Sequence, residues 1–341
     1  MGKIVRGCGS IVVDVVKRVP VFTVGDKTKI VDVEGRSKQL VAGGVTLNNI
    51  VWSCQLGQNG GIFGRLGSDE YGQFLTSEMD RFGIAREHLT VVDGEESPYT
   101  DFFVDPQPER TLFMFFGTTA GTTPQFIREK CTEAIRSADY VVTEISQLPL
   151  STVIEIEKIA KEVGTLVAVD LDIAPSNGIM EYIGTTEQYE EVTRKADILK
   201  PCDAAATELT GKDDLGEAIE ALDRDFGPYR LTAITGGADG SVLSRDGSVH
   251  VEPVTPLDSV DLEVVDPGGA GDAYFGGLNA AILRLGIEAP LSDLGTLANA
   301  TAAVCCSEYG AFPIAPSGPA DTIKKLIVRT RDQATADRLI D

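Results

Sequence analysis

The sequence predicts an α/β fold of the doubly wound kind, a mostly parallel sheet with helices on both faces, carrying a small β-sheet as a lid. Three observations predict it. Short β-branched runs alternate with amphipathic segments along most of the 341 residues, which implies parallel strands joined by crossover helices. Two stretches, about 19–40 and about 90–116, break that alternation; they are β-rich, punctuated by turns and without helical period. Finally, the run "EVVDPGGAGDAYFGGLNAAIL" passes from strand-like residues through glycines into a helix, with Asp272 in its opening turn.

Taken in order, the strand-like runs are "KIVRGCGSIVVDVV", "GGIFGRLG", "ADYVVTEIS", "GTLVAVDLD", "ADILKP" and "YRLTAITGG". Helices are expected to begin near Thr46, Asp69, Pro124, Pro149 and Asp203, several with Pro or a capping side chain at the start. The stretch "TDFFVDPQPERTLFMFFG" reads as a hairpin turning at Pro106 to Pro108. Both irregular stretches fit one small sheet. Over the C-terminal edge of the main strands it would close on a ligand, because open α/β sheets bind there. Its apolar face, with Phe102, Phe113 and Phe115, suits contact with a second copy, so a homodimer through the lid is expected. The alternative is an edge hairpin packed on the core. One domain over 1–341, with these lid segments, is a size that buries a sizeable core.

The formal charge of -22, from 52 acidic against 30 basic residues, argues against nucleic acid and acidic membranes as partners. The six cysteines form no C-x-x-C pair and read as reduced and structural. The two histidines, His88 and His250, read as surface residues; they argue against a histidine metal site or a Ser-His-Asp hydrolase. The first apolar run is too charged for a signal peptide, and no apolar stretch is long enough to span a bilayer, so a cytoplasmic location is expected. Trp52, inside an apolar helical pattern, reads as core.

Small residues before a helix let a backbone approach a ligand, and the first helical turn offers unpaired N–H groups with partial positive charge. A phosphate on the N–H groups of Gly269, Ala270 and Gly271 would lie close enough for Asp272 to take a proton from a neighbouring hydroxyl. The plain alternative is that Asp272 only complements the helix dipole. A second glycine site, Gly43 and Gly44, precedes a helix with Asn48 and Asn49 in its opening turns, an arrangement suited to a polyhydroxylated ligand.

Together these sites resemble the ribokinase-like PfkB family of carbohydrate and nucleoside kinases, from about Gly9 to Pro316. The family's signature D-T-x-G-A-G-D is matched by Asp266, Gly269, Ala270, Gly271 and Asp272, with Pro267 in place of Thr. Its N-terminal signature is met by Gly43, Gly44 and Asn48, then by Gly57, Gly67 and Gly72; "GSIVVD" keeps Gly9 and Asp14 of the opening G-x-x-N-x-D. "TGGADGS" resembles the nucleotide loop through Thr235, Gly237 and Gly240, and "ANATAAVCCSEYGAFP" resembles the late helix and loop beside the adenine and a monovalent cation.

The resemblance implies an ATP-dependent kinase of a sugar, sugar acid or nucleoside hydroxyl, with Asp272 as base and Gly269 to Gly271 as anion hole. Asp14, Gly43, Gly44 and Asn48 would hold the acceptor. Thr235, Gly237, Gly240 and Asn299 would line the ATP. Mg²⁺ is implied as well, and Asp266, Gly268 and the loop at Gly310 are candidates for K⁺.

Three departures qualify this. Cys202-Asp203-Ala204-Ala205 stands where the family has N-x-x-E, which puts metal use in question, although Asp203 could act through water. Val12 replaces the opening Asn. "MFFGTTAGTT" lacks the Asn found after this strand in many sugar kinases, leaving the hydroxyls of Thr118 and Thr119. The alternatives are a nucleoside kinase, or a catalytically weakened member that binds ligand or regulates. Other motifs are absent: "GGAGDA" does not follow the first strand as a dinucleotide fingerprint would, and "TGKDD" lacks the P-loop's Ser or Thr.

Overall fold

Nine strands make the main sheet of the computed structural model, which describes residues 3–19, 39–104 and 110–341. They are β1 (Ile4–Gly7), β4 (Asn59–Gly67), β5 (Ala85–Val92), β8 (Tyr140–Glu144), β9 (Leu166–Leu171), β10 (Ile198–Pro201), β11 (Leu231–Thr235), β12 (Ser241–Arg245) and β13 (Ser248–Glu252). Their order is β13-β12-β11-β10-β9-β8-β1-β4-β5. All neighbours pair in parallel from β5 to β11, and only β12 and β13 are antiparallel. The chain leaves β1 toward β4 and β5, then returns to the other side of β1 with β8. That reversal opens a crevice at the carboxyl ends of the strands.

A separate sheet of order β3-β2-β6-β7 holds β2 (Val12–Arg18), β3 (Gln39–Gly43), β6 (Tyr99–Val104) and β7 (Arg110–Phe115). A smaller sheet was expected, but β2 comes from the run "KIVRGCGSIVVDVV" read as a main-sheet strand, and of the first expected segment only Gln39 and Leu40 lie in its described strands. Its second segment starts later than expected, because residues 85–92 form β5, paired with β4 in the main sheet. The 20–38 segment and the turn at 106–108 lie outside the described residues. Phe113 and Phe115 are exposed, whereas Phe102 is only partly so.

The helices are α1 (Val45–Gln55), α2 (Glu70–Arg81), α3 (Gly117–Ala120), α4 (Pro124–Phe126), α5 (Thr132–Arg136), α6 (Leu150–Val163), α7 (Met180–Ile183), α8 (Thr186–Lys195), α9 (Asp203–Thr210), α10 (Leu215–Asp225), α11 (Ala270–Leu285), α12 (Leu291–Cys306), α13 (Pro319–Thr330) and α14 (Gln333–Ile340). The expected starts hold for local reasons. Asp69 caps α2 by accepting from Gly72 N, and α6 follows Pro149.

Period-2 alternation buries both faces of the central strands. Tyr140 and Val142 of β8 pack in a core with α1, α11 and α12, while Val141 between them joins a second core with α6 and the helical turns over 124–136. Trp52 lies in the first core, as expected, with Nε1 donating to Ala311 O at 2.9 Å. The cysteines are all free. His250 differs from its reading as a surface residue: it is partly covered and its Nε2 lies 2.8 Å from the buried Glu252. No helix among the described residues is long and apolar enough to cross a membrane.

Candidate active site

The two glycine corners flank the carboxyl ends of the strands. Gly44 precedes α1 at φ 98, and a Cβ there would stand 2.6 Å from Ser10 O, so both conformation and space require glycine. This close crossing lets α1 begin against the loop after β1, with Asn48 and Asn49 pointing into the protein. Asp14 comes from β2, paired with Val41 of β3, and its carboxylate lies against Gly43. Burial pushes the Asp14 carboxyl up to about 7.

The second corner opens α11. Gly269 is its N-cap at φ 81, and a Cβ there would meet that of Ala311 at 2.1 Å. The N–H of Ala270 is committed to Pro267 O at 3.2 Å; no such closure engages the N–H groups of Gly269 or Gly271 among the described residues. Of the three donors expected from sequence, two are therefore available to an anion. Asp272 follows in the first turn, 8 % exposed. Burial raises its carboxyl well above the usual carboxylate range, as do the charges of Asp172 and Asp170, against the opposing hydrogen bond from Asn48 and the ammonium of Lys200. Asn48 Nδ2 donates to Asp272 Oδ2 at 2.7 Å, and Asn48 Oδ1 is buried without a partner among the described residues. Thus the amide expected at the acceptor also touches the carboxylate expected to be the base.

Thr235, Gly237 and Gly240 surround the turn after β11 and line a cavity of about 530 Å³ that reaches Ala270 and Gly271. Val254, Val264, Ala302 and Ala303 give it an apolar wall. Asn299 also lines it, but its polar atoms are spent inside the protein: Nδ2 donates to Glu252 O and Pro253 O, and Oδ1 accepts from Ser241 Oγ. It shapes the wall. Glu252 is itself anchored, accepting from Thr296 and from Arg331 beyond α13.

Asp266 Oδ1 accepts from Gly268 N at 2.9 Å and Oδ2 from Gly310 N at 3.2 Å, which brings together the residues expected at a monovalent-cation site. The carbonyls of Gly268, Gly310 and Ala311 converge on Cys305 Sγ, each at 3.9 Å. Such oxygens suit a hard cation. Cys202 stands at the N-cap position of α9 without a side-chain capping bond and Ala205 is fully buried, while Asp203 is exposed and lines the cavity that Thr235, Gly237 and Gly240 line. Among the described residues no three His, Cys, Asp or Glu side chains gather as a metal cage. Thr118 and Thr119 are buried, with Thr118 Oγ1 donating to Arg65 O at 3.4 Å.

Sequence reasoning passed over Lys200 and Asp170, an ion pair of 2.9 Å with both side chains buried. The signal was a lysine inside the apolar "ADILKP" and two aspartates at period 2 in "VDLD".

Residues 8–317 match the pfkB family of carbohydrate kinases, and the chain belongs to that family. It is a phosphotransferase of the sugar and nucleoside kinase class. It is 28% identical over 327 residues to the aminoimidazole riboside kinase of Salmonella typhimurium, covering 87% of this chain and 92% of that protein. With the probable fructokinase-4 of Arabidopsis thaliana it shares 27% identity over 290 residues, covering 81% and 84%. The structure of Arabidopsis thaliana ribokinase complexed with ribose and ATP superimposes with a TM-score of 0.78 at 20% identity, covering 95% and 98% of the two chains.

Proposed function

We propose that the protein phosphorylates a hydroxyl of a sugar or sugar acid with ATP as donor. The observation that carries this is the bond between Asn48 and Asp272: it joins the acceptor-side corner to a buried carboxylate next to Gly271, which lines the nucleotide cavity. Asp272 accepts the hydroxyl proton, and its raised pKa makes it a stronger base than an ordinary carboxylate. The N–H groups of Gly269 and Gly271 receive charge on the transferring phosphoryl. Asp14, Gly43, Gly44 and Asn48 orient the acceptor.

The cavity fits ATP. Its apolar wall suits the base and Gly237 and Gly240 the phosphates, with Ala270 and Gly271 of the anion corner in its lining. Mg²⁺ would be held by phosphate oxygens and, through water, by Asp203; when bound it neutralises phosphate charge. K⁺ would take the carbonyls of Gly268 and Gly310 with Asp266, tying the anion corner to the 310 loop.

A nucleoside acceptor is favoured by one observation. Register places Val12, Val16, Val41 and Phe102 on the same face of the small sheet as Asp14, and Val41 lies within 3.9 Å of where a Gly310 Cβ would stand. That face therefore looks toward the site and offers apolar surface beside one carboxylate. As a lid it would seat a base as well as a sugar. A purely binding or regulatory role has no use for a buried base against a glycine corner.

Release of ADP in a screen of sugars, sugar acids and nucleosides, with Mg²⁺ and K⁺ present, tests this function. One acceptor class should give turnover that needs Mg²⁺. Binding of an acceptor without ADP release from any of them would overturn catalysis in favour of a binding role.

A further inference from the structure

Lys200 has no part in the function proposed above. It is 1 % exposed at the carboxyl end of β10, and a lysine is almost never so buried without a partner. Its Nζ lies 2.9 Å from Asp170 Oδ1. A Cβ on Gly271 would stand 3.2 Å from the same Nζ, so the ammonium sits against the turn that delivers Asp272. The other Asp170 oxygen faces Asn49 Nδ2 at 3.5 Å. Adjacent residues of α1 thus address the two carboxylates: Asn49 the one that holds Lys200, Asn48 the base.

We propose that Lys200 is a positioning residue for phosphoryl transfer: fixed by Asp170, it supports the Gly269–Gly271 turn and supplies the positive charge that keeps Asp272 able to accept a proton. The proposal rests on Asp272 being the base. The groups facing this cluster are Asp170 and Asp172 on β9, Cys202 after β10, Asn48 and Asn49 on α1, Tyr274 on α11, Cys305 on α12 and, beyond Asp172, Glu144 on β8. Lys200 is the cation among them. Without it Asp170, Asp172 and Asp272 repel one another in a buried space, and Asp272 retains its proton when it should take one.

The test compares Lys200→Met, Lys200→Arg, Asp170→Asn and Asp272→Asn by the pH dependence of kcat, by acceptor KM and by thermal unfolding. Lys200→Met should lower kcat at neutral pH by about 10–100-fold and move the acid limb up by about one pH unit, with acceptor KM changed less than about threefold. Lys200→Arg should restore the limb toward its original position. Asp170→Asn should move the limb down, because it neutralises a carboxylate facing Asp272 while its amide oxygen can still accept from Lys200 Nζ. A structural brace would lower the unfolding temperature without moving the limb in opposite directions. If Lys200→Met does not fold, Lys200→Gln takes its place, and an unmoved limb there overturns the proposal. An acid limb that persists in Asp272→Asn overturns the base assignment itself. A limb lost in Asp272→Asn but unmoved in the other variants overturns only the role of Lys200.

Discussion

Asn48 and Asp272 lie 224 residues apart in the chain, and the amide of one donates to the carboxylate of the other at 2.7 Å. This bond spans α1 and α11, the helices that carry the two glycine corners. The two glycine corners are therefore set at a fixed separation by one hydrogen bond within a shared core.

Replacing Asp272 by Asn keeps the shape and the contact with Asn48 but removes the proton acceptor. Turnover should fall by at least about a hundredfold, with acceptor binding and unfolding temperature retained. Near-normal ADP release from the variant would show that another group is the base.

Gly269→Ala should abolish the corner rather than tune it. The φ of 81 and the 2.1 Å approach of the new Cβ to that of Ala311 demand movement of the 310 loop. Destabilisation of about 2–5 kcal/mol is expected in denaturant unfolding, together with loss of turnover; a midpoint equal to wild type would refute the tight packing.

Glu144 gives stability a pH dependence of known sign. It is fully buried, and burial pushes its carboxyl from 4.5 to about 7. The folded state therefore keeps a proton that the unfolded state releases, so stability from this group is present below about 4.5 and lost as pH rises to about 7. The loss is on the order of 3 kcal/mol. Glu144→Gln keeps an oxygen to accept from Ser10 N and cannot ionise. It should raise the unfolding temperature at pH 8 and bring no gain near pH 4; an equal effect at both would contradict the buried charge.

Asp203 is exposed at the start of α9 beside the nucleotide cavity. If it orients water on Mg²⁺, Asp203→Ala should raise the Mg²⁺ concentration for half-maximal ADP release by about 10–100-fold while acceptor KM stays unchanged. An unaltered Mg²⁺ requirement would leave the metal to phosphate oxygens and solvent.

Phe113 and Phe115, exposed at 51% and 45%, share one face of β7, opposite to the face that carries Phe102. Such a patch favours a second copy, and the wild-type protein should sediment as a dimer. Phe113→Asp with Phe115→Asp should convert it to a monomer; a monomeric wild type would reject this surface as the contact.

The main sheet was legible in the sequence because parallel strands buried on both faces read as continuous apolar runs, as in "YVVTE" and "LVAVDL". The glycine corners were legible because an unusual φ or a close approach leaves little choice of residue. What period and composition do not carry is pairing between distant segments. The start of β5 at Ala85 blurred the edge of the small sheet, since its half-exposed pattern looks alike in either sheet. The commitment of Ala270 N–H to Pro267 and of Asn299 to Glu252, Pro253 and Ser241 depends on loop geometry alone. Lys200 was hidden by its neighbours: a lone charge inside a short apolar strand carries no mark of the buried partner that the fold supplies from β9.

The wide sequence separation of Asn48 and Asp272 also bears on synthesis. At about 5–20 residues per second a ribosome needs roughly 11–45 s to make the 224 residues between them. Throughout that interval the nascent polypeptide carries the acceptor-side corner but neither the base nor the anion corner. Translation order therefore leaves α1 without its packing partner until the helix bearing Asp272 emerges, and a prematurely terminated product that ends before it lacks both that core contact and the bond to Asn48.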